Sequence, residues 1–181
     1  MRHHQNHRGF TLVELMVVVS IIAVLATVSI PAFSKYLRNA KTVEAVTNIG
    51  KIYNGAVAYY AKDWGSRTGG SLERQFPDSA PRGGTPAQNS CCGGAAADLC
   101  PPDLGDWRHT TWLALTFAMN EDHYYWYKFE SDGKGTEAQF TAIAEGDLDC
   151  DLTFSRFERQ AEVNDNEQIR SGPVLRFNDT E

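Results

Sequence analysis

The chain has 181 residues, 42% of them hydrophobic, with 17 Lys and Arg against 23 Asp and Glu, and so a formal net charge of −6. That length suits one domain beside an N-terminal segment. The acidic balance excludes direct binding of naked nucleic acid on charge alone, since that affinity rests on neutralising phosphates with Lys and Arg, and it favours a soluble exposed surface.

A short basic leader, Met1 to Arg8, precedes the run GFTLVELMVVVSIIAVLATVSIP from Gly9 to Pro31. The run has the roughly 20 apolar residues that span a bilayer, and its one charged residue is Glu14. An ionisable group inside such a helix costs about 2.5–3.5 kcal/mol on insertion scales and by default signals function. A cut after Gly9 would create an α-amino group on Phe10. That cation can pair with Glu14 of a neighbouring copy inside apolar surroundings, which is a rule for making a polymer. A secretory signal peptide shares the basic start and apolar core but closes on a small A-x-A triplet and carries no such carboxylate. A plain membrane-anchored binding domain accounts for the length, but not for Glu14 or for Gly9-Phe10.

This order of leader, Gly9, Phe10 and Glu14, with Glu14 fifth when Phe10 is counted first, resembles the N-terminus of the type IV pilin superfamily, which includes the pseudopilins of type II secretion. Pro31 falls where that family has its helix-bending proline. The resemblance implies cleavage between Gly9 and Phe10 by a prepilin peptidase, methylation of the Phe10 amine, and storage in the inner membrane as a single-pass precursor. It further implies assembly by the pilus machinery into a helical homopolymer, an extracellular pilus used for adhesion, motility or DNA uptake. The alternative within the superfamily is a periplasmic pseudopilus. The expected divisions are a leader at 1–9, a transmembrane and filament-core helix at 10–31, and an extracytoplasmic globular domain at 32–181. Loss of the leader removes Arg2 and Arg8 and leaves 15 basic against 23 acidic side chains, a net of −8.

From Phe10 to about Asp63 the pattern predicts one long helix, roughly 80 Å at 1.5 Å per residue, too long for one small domain to bury. Pro31 removes an N–H and loosens the helix, and Ser20, Thr27 and Ser29 can bond back to helix carbonyls. Val43, Val46, Gly50, Tyr53, Val57 and Tyr60 step by three and four and form the face expected to pack on a sheet. Lys35, Arg38, Lys41, Glu44, Lys51 and Lys62 fall mostly off it and are expected in solvent or against neighbouring subunits.

Trp64 to Leu104 carries paired glycines and several prolines, the punctuation of loops. The four cysteines, Cys91, Cys92, Cys100 and Cys150, are an even number in a segment expected outside the cytoplasm, where disulfides persist. A bond between adjacent Cys91 and Cys92 would close a strained ring, so one of them is expected to join Cys100 and the other Cys150. A metal site of Cys91, Cys92 and Cys100 lacks zinc-ribbon spacing.

A short helix is expected around Trp107 to Phe117, followed by strands over His123–Glu130, Glu137–Glu145 and Leu152–Glu158, with a turn at Ser131 to Gly135. Alternation puts Tyr125, Tyr127 and Phe129 on one face, and Phe140, Ala142 and Ala144 on one side of the second strand. The fold class is therefore α+β, the second half of a long N-terminal helix packed on a small antiparallel meander; the resemblance implies the same pilin-like arrangement. Asp147, Asp149 and Asp151, with Glu158 at the twelfth place, mimic an EF-hand calcium loop, but the sixth place is Leu152 where the sharp turn needs Gly. No resident cofactor is expected, a calcium ion on the three aspartates being the one candidate, which the resemblance to calcium-binding pseudopilins favours slightly. His109 and His123 lie in no G-x-S-x-G or similar motif, and no glycine pair precedes a Lys-Ser/Thr pair. The sequence holds no active-site pattern.

Overall fold

The computed structural model describes residues 10–62, 72–87, 91–92 and 99–179. The chain divides into two units, at Leu37 and Arg38, and helix α1, Leu12–Tyr60, supplies residues to both. In the first unit the helix is apolar all round and its large side chains are exposed, among them Leu12, Val17, Ile22 and Val28. It is the one helix, among the described residues, long and apolar enough to cross a membrane. Ser20 Oγ donates to Met16 O and Thr27 Oγ1 to Val24 O, both at 2.7 Å, as expected for hydroxyls inside an apolar helix; Ser29 forms no such bond among the described residues. Pro31 lies inside the helix.

The second unit is a helix on a five-stranded antiparallel sheet. The strands are β1 (Trp126–Asp132), β2 (Gln139–Gly146), β3 (Ser155–Val163), β4 (Ile169–Ser171) and β5 (Leu175–Phe177). Their order is β1-β2-β3-β4, with β5 also paired to β3. Phe129 sits opposite Ala142, Ile143 opposite Glu158, and Arg156 opposite Phe177. The expected meander is present. Its third strand starts three residues late, because residues 147–154 form a loop, and runs on to Val163. The two short edge strands were not expected, three residues being too few for an alternation to register.

One sheet face carries Tyr127, Phe129, Phe140, Ala142, Ala144 and Phe157 into a single core with α1. The helix seam differs from the expected stripe by about one position: Ala45, Asn48, Ile49, Ile52, Ala56 and Tyr60 are buried, whereas Val43 is 62% exposed. Alanines let the helix axis approach the sheet, while the larger Val46 and Tyr53 pack from the flanks. Tyr53 lies 5.9 Å from the Phe140 ring, with the Arg159 guanidinium 3.8 Å above it. Gly55 meets α2 (Thr110–Leu115) closely; a Cβ there would lie 2.2 Å from the Leu115 carbonyl oxygen. α2 and the 3₁₀ turn Asp106–Arg108 form the short helical region expected around Trp107, and Trp107 meets Trp112 and Phe117 edge-on, each at 5.3 Å. The other edge of β1 is covered by the glycine- and proline-rich excursion. Ala80 N donates to Phe129 O, and Thr85 exchanges two hydrogen bonds with Tyr127, all at 2.8 Å, which removes an open sheet edge.

Two titratable groups are drawn inward, one of them, Glu44, against expectation. Glu44 on α1 accepts from Tyr124 N at 3.1 Å and from the Tyr127 hydroxyl at 3.0 Å, while Asn48 Nδ2 donates to the same hydroxyl at 2.7 Å. Burial raises the Glu44 carboxyl above its ordinary range and the Tyr127 phenol well above its own. His123, which the pattern places at the start of the first expected strand, is fully buried. Its Nδ1 lies 3.0 Å from the Glu121 carbonyl oxygen and so carries the proton, leaving Nε2 without a partner among the described residues. Burial holds this imidazole below its usual pKa.

Tyr127→Phe leaves Asn48 and Glu44 short of a buried partner and is expected to cost about 1–3 kcal/mol, read as a lower midpoint in calorimetry of the detergent-solubilised chain. His123 resists protonation in the folded state, so its contribution is complete above the unfolded imidazole pKa of about 6.5 and is lost as pH falls below it. His123→Gln is expected to flatten that acid-side loss. Comparison with the unaltered chain isolates the imidazole from Glu44, whose raised carboxyl acts with the opposite sign.

Candidate functional site

The N-terminus of α1 is built around Thr11 and Glu14. Glu14 N donates to Thr11 Oγ1 at 3.2 Å, Thr11 N donates to Glu14 Oε2 at 2.9 Å, and Thr11 Oγ1 donates to the same oxygen at 2.7 Å. This is a capping box, in which two backbone N–H groups at the helix start are satisfied reciprocally. The carboxylate therefore has partners within its own chain, and it sits at the positive end of the helix dipole. Among the described residues, Glu14 Oε1 takes no hydrogen bond. Phe10, two residues before the helix, is 83% exposed. Gly9 and the leader lie outside the described residues. Thr11 was missed in the sequence although its signal was there: T-L-V-E is the S/T-x-x-E pattern that precedes an apolar run.

A second cluster lies between β2 and β3. Cys91 bonds Cys100 and Cys92 bonds Cys150, which resolves the pairing left open by the sequence and engages all four thiols, so that no cysteine is left as a metal ligand. Asp147, Asp149 and Asp151 each bring one carboxylate oxygen within 4.8 Å of the others. Those groups are already engaged. The buried Asp147 accepts from Asp151 N at 3.2 Å and Leu152 N at 2.9 Å, Asp149 pairs with Arg38 Nη1 at 2.7 Å, and Asp151 accepts from Thr153 N at 2.7 Å. Glu158, at the twelfth place of the calcium pattern, is in β3 and pairs with Arg156 Nη2 at 2.8 Å. The strand carries it away from the loop, so the EF-hand geometry does not form.

The remaining charged residues explain the outer sheet face. Lys128 and Arg156 both pair with Glu145, and Trp126 Nε1 donates to the same carboxylate at 3.2 Å. Trp126 in turn packs against Cys91, Cys100 and Phe154. Here the stapled excursion rests on the sheet.

A family profile described as the prokaryotic N-terminal methylation motif matches residues 4–30. The type IV major pilin protein PilA of Myxococcus xanthus is 34% identical over 113 residues, 58% of this chain and 49% of that protein. Fimbrial protein EcpC of Eikenella corrodens is 41% identical over 61 residues, 34% of this chain and 39% of that one. Prepilin peptidase-dependent protein D of Escherichia coli is 64% identical over 35 residues, 19% of this chain and 24% of that one. The chain thus spans about half or less of the curated relatives it matches. No solved structure gives a significant match.

Asp147→Ala removes the acceptor of two backbone N–H groups in a nearly closed setting and is expected to cost about 1–3 kcal/mol. Because the carboxylate serves the loop itself, the midpoint measured in the presence of EDTA should fall by that amount without any metal being added or withdrawn.

Proposed function

We propose that this chain, which belongs through its N-terminal segment to the type IV pilin superfamily, is a structural subunit of a type IV pilus. In this reading a prepilin peptidase cuts between Gly9 and Phe10, the Phe10 amine is methylated, and the inner membrane holds the mature subunit until the assembly machinery adds it to the filament. The observation that carries the reading is Glu14: a carboxylate opening an apolar helix whose side chains are exposed in a single chain. Apolar surface of that extent needs lipid or other copies of itself to cover it. The methylation motif over residues 4–30 and the relatives named as pilins and fimbrial proteins support the same conclusion.

The mechanism is an exchange of partners. In the membrane the Thr11 hydroxyl and backbone satisfy Glu14 Oε2. On assembly the open Oε1 receives the cationic amine of Phe10 from an adjacent copy, which sets register because one acid meets one chain start. The hydrophobic faces of neighbouring helices then exclude lipid around the pair.

Glu14→Ala is expected to leave processing intact, with Edman sequencing of the membrane form starting at methylated Phe10. Filament recovery after shearing should fall by tenfold or more, about 1.4 kcal/mol of lost subunit affinity for each factor of ten. Normal filament yield from that variant would refute the charge-pairing mechanism.

A further inference from the structure

We propose that Leu152 is a subunit-contact residue, held out on a rigid loop to dock on the apolar and basic Phe33–Leu37 stretch of α1 in a second copy of this chain. The inference rests on the filament reading and adds to it a contact outside the N-terminal pairing. Leu152 has φ +74°, a backbone state in which a bulky L side chain is a genuine outlier. Cys150, two residues earlier, has φ +59°. The strain brings Leu152 no packing: at 74% exposure it is the most exposed large hydrophobic residue described in the globular unit. A glycine or an asparagine would sit there more easily, so neither backbone preference nor the core accounts for leucine. Strain of this kind is held by the surrounding structure and concentrates where function uses it.

The loop is held from four sides. Asp147 accepts from Leu152 N, Arg38 pairs with Asp149 at 2.7 Å, Lys41 Nζ reaches Leu148 O at 3.5 Å, and Cys92 bonds Cys150. A side chain carried on so fixed a loop loses little freedom on docking. The loop presents an apolar tip beside the exposed carboxylates Asp149 and Asp151. Its complement is on the same molecule: Phe33, Tyr36 and Leu37 are exposed, and the exposed Lys35 among them has no partner among the described residues. A patch and its complement at different places on one chain make a heterologous contact, which propagates as an open helix wherever its rotation does not close a ring, so that in a fibre a modest contact recurs at every step.

The test uses the full chain. Leu152→Gly and Leu152→Asn relieve the backbone while deleting the tip. Each is expected to melt in detergent no lower than the unaltered chain, and up to about 2–4 °C higher, yet to lower sheared filament recovery by about fivefold or more. Leu152→p-benzoylphenylalanine, irradiated in sheared fibres, should crosslink to the Phe33–Leu37 peptide of another copy. A lower melting point in both variants would show that the leucine serves its own domain and would overturn the proposal. So would normal fibres from Leu152→Gly, or crosslinks that fall within one copy or on a different protein. Absence of fibres from the unaltered chain would sink the filament reading as well, whereas normal fibres from Leu152→Gly sink the contact alone.

Discussion

A carboxylate at the mouth of an apolar helix must have a partner at every stage of the protein's life, and that requirement organises the N-terminal half of this chain. Lipid offers no hydrogen bonds, so each polar group left unpaired there costs several kcal/mol. Thr11 meets the requirement locally with one oxygen of Glu14. The same arrangement keeps the other oxygen open and the charge at the helix start, where the dipole favours it. Capping satisfies one oxygen of the carboxylate and leaves the other available to a charged partner.

The globular unit solves a different problem, that of fastening a helix to a small sheet. Its apolar seam mixes small residues, Ala45 and Ala56, with Ile49 and Ile52, and Gly55 lies beneath the Leu115 carbonyl, so that backbones approach closely and large aromatics pack around them. Burial alone is non-directional. The direction comes from Glu44, Tyr127 and Asn48, whose hydrogen bonds are satisfied in one register of helix against strand. The price of such a network is that each member is costly to leave unpaired.

Much of this was legible in the residues, and the exceptions have physical reasons. The alternation Tyr125, Tyr127, Phe129 and the set Phe140, Ala142, Ala144 point inward as their period requires, because a strand buried on one face writes its pattern directly. The helix stripe was displaced because hydrophobicity marks Val43 and Val57 as core candidates, while the real seam prefers small residues and a hydrogen-bonded Asn48. Glu44 was expected in solvent on charge alone; its partners, the Tyr124 N–H and the Tyr127 phenol, lie 80 and 83 residues away along the chain, whereas the His123 imidazole bonds the nearby Glu121 carbonyl oxygen. At the site, Glu14 stood out from composition; the spacing of Asp147, Asp149 and Asp151 suggested a ligand set, and the structure brings one oxygen of each within 4.8 Å of the others while Asp147 and Asp151 accept from the loop backbone and Asp149 pairs with Arg38. Leu152 registered in the sequence only as a wrong residue for calcium; its conformation gives it a meaning that spacing could not.

The two faces of the sheet argue for a division of labour. The inner face is aromatic and dry. The outer face carries Lys128, Glu145, Arg156 and Glu158 in one chain of ion pairs, and Trp126 ties that chain to the stapled excursion. Glu145 and Glu158 are themselves 8% and 9% exposed, so these pairs are already largely desolvated beside the stapled excursion, and removing one partner would leave a buried charge uncompensated. The apolar surface left unburied lies mainly on the first half of α1, with a few exposed hydrophobic side chains such as Leu113 and Leu152 in the globular unit.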